Sequence, residues 1–244
     1  MQTHALDVHL IYADQWHTLD SECLSRTERE RAAQFRLAAP RTLYQAAHAF
    51  LRQVLSLYAP LRPQAWCFST NPYGKPCITN PHYESIQFNL SHTEGLVACV
   101  VAHNITVGID IERIQPMEDL AAVARYTFAP CEAEAVLALS DPLQQQQRFF
   151  TYWTLKEACL KAWGTGFSLP PQSFTLVQDQ QEQWVMQDTP SLFTSKQKLC
   201  LRSYLVKDYC LGLAWKQNEA NGNQRTDYQV VIYEADQKPM TLSA

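Results

Sequence analysis

Two acids in the segment Val107-Gly108-Ile109-Asp110-Ile111-Glu112 are the first residues whose spacing could do chemistry. The alternating pattern predicts a β-strand, on which side chains two positions apart share a face. Asp110 and Glu112 then point the same way, and at ~4 Å and an effective dielectric constant of ~20 their repulsion costs on the order of 4 kcal/mol. A hard cation such as Mg²⁺ relieves that repulsion because it binds carboxylate oxygen. A strand whose two acids are simply hydrated explains the segment equally well.

A third acid lies in the segment Trp153-Thr154-Leu155-Lys156-Glu157-Ala158-Cys159-Leu160-Lys161. On a helix Glu157 and Lys161 share one face, and Trp153 lies on the same face one turn before Glu157. A tryptophan beside an acid and a base favours a partly buried site. The alternative is a surface ion pair, which contributes only about 0.3–0.5 kcal/mol.

Ser91 and His92 follow an apolar strand pattern, and Lys75 lies in the turn Gly74-Lys75-Pro76. A serine nucleophile beside a histidine would suggest a hydrolase. However, adjacent residues on an extended chain point in opposite directions, and the Gly-x-Ser-x-Gly elbow is missing. The pair is better suited to donate hydrogen bonds to an anionic ligand, with a turn serine and a satisfied histidine as the structural alternative. Lys75 is not part of a Gly-x4-Gly-Lys-[Ser/Thr] phosphate loop.

The elements that must position these residues mix helices with strands. Apolar spacing predicts helices over 25–35, 41–58, 117–139 and 148–163, the last one ended by Gly164. Alternation predicts strands over 6–12, 86–90, 96–102, 107–111, 199–201, 209–215 and 230–232. Gly108 permits another backbone or a ligand to approach the acidic strand closely. The order predicts an α+β (mixed α/β) fold.

Composition excludes several classes of protein. The chain has 244 residues, a net charge of -4 and a pI near 6.0, so it carries no chain-wide basic field for nucleic acid. Its longest apolar stretch, 96–102, is far shorter than the ~20 residues that span a bilayer, and we see no secretory signal. The eight cysteines form no Cys-x-x-Cys pair. We therefore expect reduced thiols, a cytoplasmic protein and no membrane or nucleic-acid partner.

Four motifs in this order resemble the 4'-phosphopantetheinyl transferase superfamily. They are Gly74-Lys75-Pro76, Asn89-Leu90-Ser91-His92, Gly108-Ile109-Asp110-Ile111-Glu112 and Trp153-x-x-Lys156-Glu157-Ala158-x-x-Lys161. The resemblance covers about residues 29–174, and the chain length is similar to that of the monomeric, surfactin-synthetase-activating type. It implies two similar subdomains related by a pseudo-twofold axis, with 1–104 contacting the coenzyme A nucleotide and 105–244 carrying the metal site and catalytic helix.

The resemblance also implies a role for each candidate residue. Asp110, Glu112 and Glu157 would hold Mg²⁺, with Mn²⁺ as the alternative metal. Coenzyme A would be bound by a set of cationic and hydroxyl side chains: Arg31, Arg41, Thr42, Lys75, Ser91, His92 and Lys161. The family often has lysines where this chain has Arg29 and Arg31, and arginine keeps the charge while changing the geometry.

The activity implied is transfer of the phosphopantetheine arm of coenzyme A to a serine of apo acyl, peptidyl or polyketide carrier proteins, with release of 3',5'-ADP. We hypothesise that Glu157, directly or through a metal-bound water, accepts the serine proton, and that Lys161 assists electrostatically. We expect a monomer. The competing hypotheses are a non-catalytic nucleotide-binding or carrier-docking module and a hydrolase that uses Ser91 and His92.

Overall fold

The computed structural model describes residues 4–188, 199–216, 219–220, 224–225, 228–235 and 240–241. Internal contacts divide the chain into two compact units. The first comprises Met1–Asn71, Pro76–Asn104 and Asp227–Ala244, and the second comprises Pro72–Lys75 and Ile105–Thr226. Each unit combines helices with a largely antiparallel sheet, which confirms the α+β class.

The helices of the described residues are α1 (Arg26–Ala33), α2 (Ala38–Leu55), α3 (Leu120–Thr127), α4 (Pro130–Leu137) and α5 (Pro142–Trp163). The strands are β1 (His4–Tyr12), β2 (Phe68–Thr70), β3 (Pro76–Ile78), β4 (Ile86–Thr93), β5 (Leu96–His103), β6 (Val107–Arg113), β7 (Thr175–Gln178), β8 (Trp184–Asp188), β9 (Leu199–Val206), β10 (Tyr209–Lys216), β11 (Glu219–Ala220), β12 (Gln224–Arg225), β13 (Tyr228–Glu234) and β14 (Met240–Thr241). None of these helices has the length and apolar character needed to cross a membrane.

The first unit is built on a sheet of order β14-β13-β1-β5-β4, in which β1 and β13 are parallel. The sequence predicts a half-buried β1, and Leu6, Val8 and Leu10 on one face of the strand are indeed 0% exposed. On the other face His9 and Ile11 are buried as well, at 8% and 2% exposed. β1 lies in the interior of the sheet, paired with β13 along one edge and with β5 along the other. Helix α2 packs against β4 and β5 and forms a core that includes Phe50.

The second unit is built on a three-stranded antiparallel sheet of order β6-β10-β9, and α5 lies across β6 and β10. Glycines make this contact possible. A Cβ atom on Gly108 would lie 2.1 Å from the carbonyl oxygen of Ala158, and one on Gly212 would lie 2.4 Å from that of Thr154. The predicted close approach at Gly108 is confirmed, and the approaching group is the backbone of α5.

The two units repeat one topology. In the first, the order β1, α2, β4, β5 along the chain gives the spatial order β1-β5-β4; in the second, β6, α5, β9, β10 gives β6-β10-β9. This repetition agrees with the two similar subdomains that the family resemblance implies.

Several element boundaries differ from the prediction. The single helix predicted over 117–139 is two helices, α3 and α4, because Pro130 begins a new helix at a position where its missing N–H is tolerated. Helix α5 begins at Pro142, six residues earlier than predicted. Asp141 caps its N-terminus by accepting a hydrogen bond from the Leu143 N–H. The predicted C-terminal half included β13, which instead pairs with β1 in the first unit. The ligand contacts assigned to each half stay predictions.

Candidate functional site

An acid of β6 and a base of α5 form the centre of the candidate site. Asp110 is 5% exposed, and its Oδ1 lies 2.6 Å from Nζ of Lys161. Gly108 and Asp110 share one face of β6 because they are two residues apart. Since α5 packs directly on Gly108, Asp110 also points toward this helix, where Lys161 meets it.

Glu157, one turn before Lys161, belongs to the same group of charges. Burial raises the pKa of its carboxyl group, the negative charge of Asp110 raises it further, and the ammonium of Lys161 partly opposes the increase. Asp110, Glu157 and Lys161, which the sequence predicted to act together, are thus close enough to influence one another. Within this group of three, two carboxylates face the single positive charge of Lys161.

Glu112, the third predicted metal ligand, is half-buried on β6 opposite Cys210. Among the residues that the structure describes, no three His, Cys, Asp or Glu side chains are grouped closely enough to hold a metal ion. The donor chemistry nevertheless fits Mg²⁺, because the predicted ligands are carboxylates and Asp110 repels Glu157. The metal ligands therefore stay a prediction supported by electrostatics and not by a preformed cage.

Lys75 is tied to the ends of two site elements. Its Nζ donates to the carbonyl of Val107 at 3.0 Å, where β6 begins, and to that of Ala162 at 3.2 Å, near the end of α5. A lysine at this place satisfies one carbonyl in the last turn of α5 and interacts favourably with the helix dipole. Burial lowers its pKa to about 8. Contact with a phosphate stays a prediction for this residue.

The arginines predicted to bind the coenzyme A nucleotide meet at Phe35 in the first unit. The guanidinium carbon of Arg31 lies 6.0 Å from the centre of the Phe35 ring, and a guanidinium nitrogen of Arg41 donates to the Phe35 carbonyl at 2.6 Å. Arg31, Arg41 and the neighbouring Thr42 are all exposed. The structure therefore brings the two arginines of α1 and α2 together on one accessible surface.

Ser91 and His92 lie near the end of β4 in the first unit. Ser91 is 6% exposed, whereas His92 is exposed, as expected for neighbours on an extended chain. This alternation does not suit a serine nucleophile activated by the next residue, so the structure gives the hydrolase hypothesis no support.

Comparison with known proteins identifies the second unit. Residues 106–214 match the family described as the 4'-phosphopantetheinyl transferase superfamily. The chain contains a domain of this superfamily. It is 38% identical over 146 residues to the 4'-phosphopantetheinyl transferase HetI of Nostoc sp. strain PCC 7120, a match covering 59% of this chain and 61% of that protein.

A second relative is the 4'-phosphopantetheinyl transferase Sfp of Bacillus subtilis strain 168, 34% identical over 155 residues, with 63% of this chain and 66% of that protein covered. The matches thus span less than two thirds of the length of these relatives. The predicted superfamily is thus confirmed for the domain over residues 106–214. A solved structure of holo-[acyl-carrier-protein] synthase from Neisseria meningitidis matches 46% of this chain and 98% of its own at 17% identity, with a TM-score of 0.36.

The superfamily domain also contains a buried ion pair that was not predicted from the sequence. Lys156 and Glu132 are each 1% exposed, and Nζ of Lys156 lies 2.9 Å from Oε2 of Glu132. The signal was present, since Lys156 lies on the same helical stripe as the apolar residues Tyr152 and Leu160. A charged residue on an apolar stripe indicates a buried partner, because an unpaired charge is too costly to bury.

Proposed function

We propose that the chain is a 4'-phosphopantetheinyl transferase that moves the phosphopantetheine arm of coenzyme A onto a serine of an apo carrier protein. The observation that carries the proposal is the cluster of Asp110, Glu157 and Lys161 inside a superfamily domain. Two acids and one base packed between a strand and a helix suit a reaction in which a metal and a polyanionic substrate meet.

The proposed metal is Mg²⁺, with Mn²⁺ as the alternative, and Asp110, Glu112 and Glu157 would hold it. Bound there, the cation would supply stabilisation of the charge that develops on the pyrophosphate of coenzyme A. The repulsion between Asp110 and Glu157 supports this assignment, because a cation removes it.

In the proposed reaction the serine oxygen of the carrier forms a bond to phosphorus, and the phosphorus–oxygen bond to 3',5'-ADP breaks. Glu157 accepts the serine proton at a carboxylate oxygen. Its place beside Asp110 and Lys161 supports this role, because a general base must lie within reach of the reacting groups. Lys161 stabilises the negative charge of the phosphoryl oxygens.

The remaining candidate residues are proposed to bind coenzyme A. They are Arg31, Arg41, Thr42, Lys75, Ser91 and His92. The gathering of Arg31 and Arg41 at Phe35 supports this, because guanidinium groups suit phosphate recognition. We propose that the protein is a cytoplasmic monomer that modifies acyl, peptidyl or polyketide carriers. Its eight free cysteines support a reducing compartment.

A non-catalytic nucleotide-binding or carrier-docking module is the second candidate. Such a module would lack at least one of the proposed metal-binding or catalytic residues. This chain has all four of them: Asp110, Glu112, Glu157 and Lys161. We therefore favour the enzyme.

The test is to incubate the protein with coenzyme A, Mg²⁺ and apo carrier proteins of the acyl, peptidyl and polyketide kinds, and to measure carrier mass. A gain of one phosphopantetheine group is expected, and it should stop when the metal is chelated. A folded protein that modifies none of these carriers would contradict the proposal. Glu157→Gln should lower the transfer rate by at least about 100-fold, and a near wild-type rate would refute its role as base.

A further inference from the structure

The ammonium of Lys156 has three hydrogen-bond donors and three acceptors around it. They are Oε2 of Glu132 at 2.9 Å and the carbonyls of Pro171 at 2.8 Å and Phe174 at 2.6 Å. Its Nζ also lies 4.3 Å from the centre of the Phe174 ring. Lys156 thus ties α5 to α4 and to the segment that leads into β7.

Glu132 is equally well satisfied. Its Oε2 also accepts the backbone N–H of Ala129 at 2.8 Å, and its Oε1 accepts that of Leu176 at 2.7 Å. A buried network in which every charged group is satisfied is rigid, whereas a partly satisfied one is unstable. The pair therefore has one well-defined arrangement.

The position of Lys156 in the chain gives this rigidity a consequence. The next residue is Glu157, and Lys161 follows one turn later on the same helix. The glycines Gly108 and Gly212 fix how closely α5 approaches the sheet on one side of the helix. The bonds of Lys156, on another side of α5, resist rotation of the helix about its own axis.

We propose that Lys156 and Glu132 form a positioning pair that fixes the rotation of α5 and thereby presents Glu157 and Lys161 to Asp110. This inference rests on the proposed function, in which those three residues do the chemistry. Stability alone is a poor explanation for the pair, because buried ion pairs can often be replaced by apolar residues without loss of stability. Misplacement of a reacting group by 1 Å can lower a rate about 100-fold.

The test compares three variants. Lys156→Met/Glu132→Gln removes both charges together, so that neither is left buried alone. Glu132→Asp keeps both charges but shortens the acidic side chain by one methylene. The ion pair is retained, and the shorter side chain displaces Lys156 from its native position. Val136→Ala is the matched control, since Val136 is a fully buried residue of the same helix α4 that does not belong to the network.

Two measurements are made on each folded variant: Mn²⁺ binding to the protein alone, followed by electron paramagnetic resonance, and steady-state kcat and KM for coenzyme A. We expect both pair variants to bind Mn²⁺ at least about 10-fold more weakly and to lose about 100-fold in kcat, whereas Val136→Ala should lower Tm only. Wild-type Mn²⁺ affinity and kcat in Glu132→Asp would overturn the proposal even if the double variant does not fold.

The same experiment separates this inference from the proposed function. A wild-type protein that transfers the arm, with pair variants that do so equally well, refutes the positioning role alone. A wild-type protein that modifies no carrier refutes the proposed function, and the Mn²⁺ comparison still decides whether the pair positions the acids.

Discussion

Gly108 lies so close to α5 that a Cβ atom added to it would be 2.1 Å from the carbonyl oxygen of Ala158. The neighbouring strand makes a similar contact at Gly212. These two glycines let the helix backbone approach the sheet far enough for Lys161 to reach Asp110. The acid–base contact of the site therefore depends on residues that carry no side chain.

Gly108→Ala should lower the free energy of unfolding by about 3 kcal/mol, because the new methyl group would overlap helix backbone, which cannot rotate away. Urea denaturation measures this loss. Gly74→Ala is the control, since no atom lies within 4 Å of its added Cβ and only its φ of +90° opposes the substitution, at about 1 kcal/mol. Equal losses in the two variants would show that the close approach is not what requires Gly108.

Asp110→Asn should lower the rate of phosphopantetheine transfer by at least about 100-fold, because it removes a proposed metal ligand and the partner of Lys161. The transfer assay by carrier mass measures the effect. Asp208→Asn is the matched control, since Asp208 also pairs with a cation, Arg113, but is 48% exposed. That control should retain activity within about two-fold, as surface pairs contribute little. A fully active Asp110→Asn protein would contradict the proposed site.

Much of the site could be predicted from local sequence. The alternation around Asp110 fixed its face on β6, and the helical spacing of Glu157 and Lys161 predicted their shared face. The spacing of Ser25 and Glu28 is also that of a capping box, and the Glu28 N–H donates to Ser25 Oγ at 3.2 Å. Cys99 and Cys159 are fully buried, as small apolar residues should be. Each of these features depends on neighbours a few residues away.

Features that depend on distant residues could not be predicted in the same way. Glu132 is 24 positions from Lys156, so nothing in the local pattern of either residue names the other. The parallel pairing of β13 with β1 joins opposite ends of the chain.

The short hairpins β2–β3 and β7–β8 could not be predicted for a different reason. Their strands have too few residues for periodicity to distinguish them from loops.

Arg52→Met should destabilise the first unit by about 3 kcal/mol, because it leaves Glu28 buried without its cation. Arg52 is 2% exposed, lies 2.9 Å from Oε2 of Glu28 and donates to the carbonyls of Pro63 and Trp66. The double variant Glu28→Gln/Arg52→Met should lose less than the sum of the two single variants, as measured by thermal unfolding. Additive losses would show that the two side chains are not coupled.

His9 should make the stability of the protein depend on pH below neutrality. Burial lowers the pKa of His9 to about 4, from 6.5 in the unfolded chain. Its Nε2 lies 2.6 Å from the Tyr58 hydroxyl, which donates to Asp7 at 2.8 Å, and its ring stacks on Tyr233 at 4.8 Å. The native state thus holds His9 neutral while the unfolded state becomes protonated.

Between pH 6.5 and 4 the unfolded state therefore binds more protons, so the free energy of unfolding should fall as the pH falls, by about 3 kcal/mol in total. Urea denaturation at several pH values measures this slope. His9→Phe keeps an aromatic ring in the stack but cannot bind a proton, so its slope over this range should be smaller than that of the wild type. His17→Phe, at an exposed position, should keep the wild-type slope. If His9→Phe and the wild type lose stability in parallel, another group is responsible for the acid sensitivity.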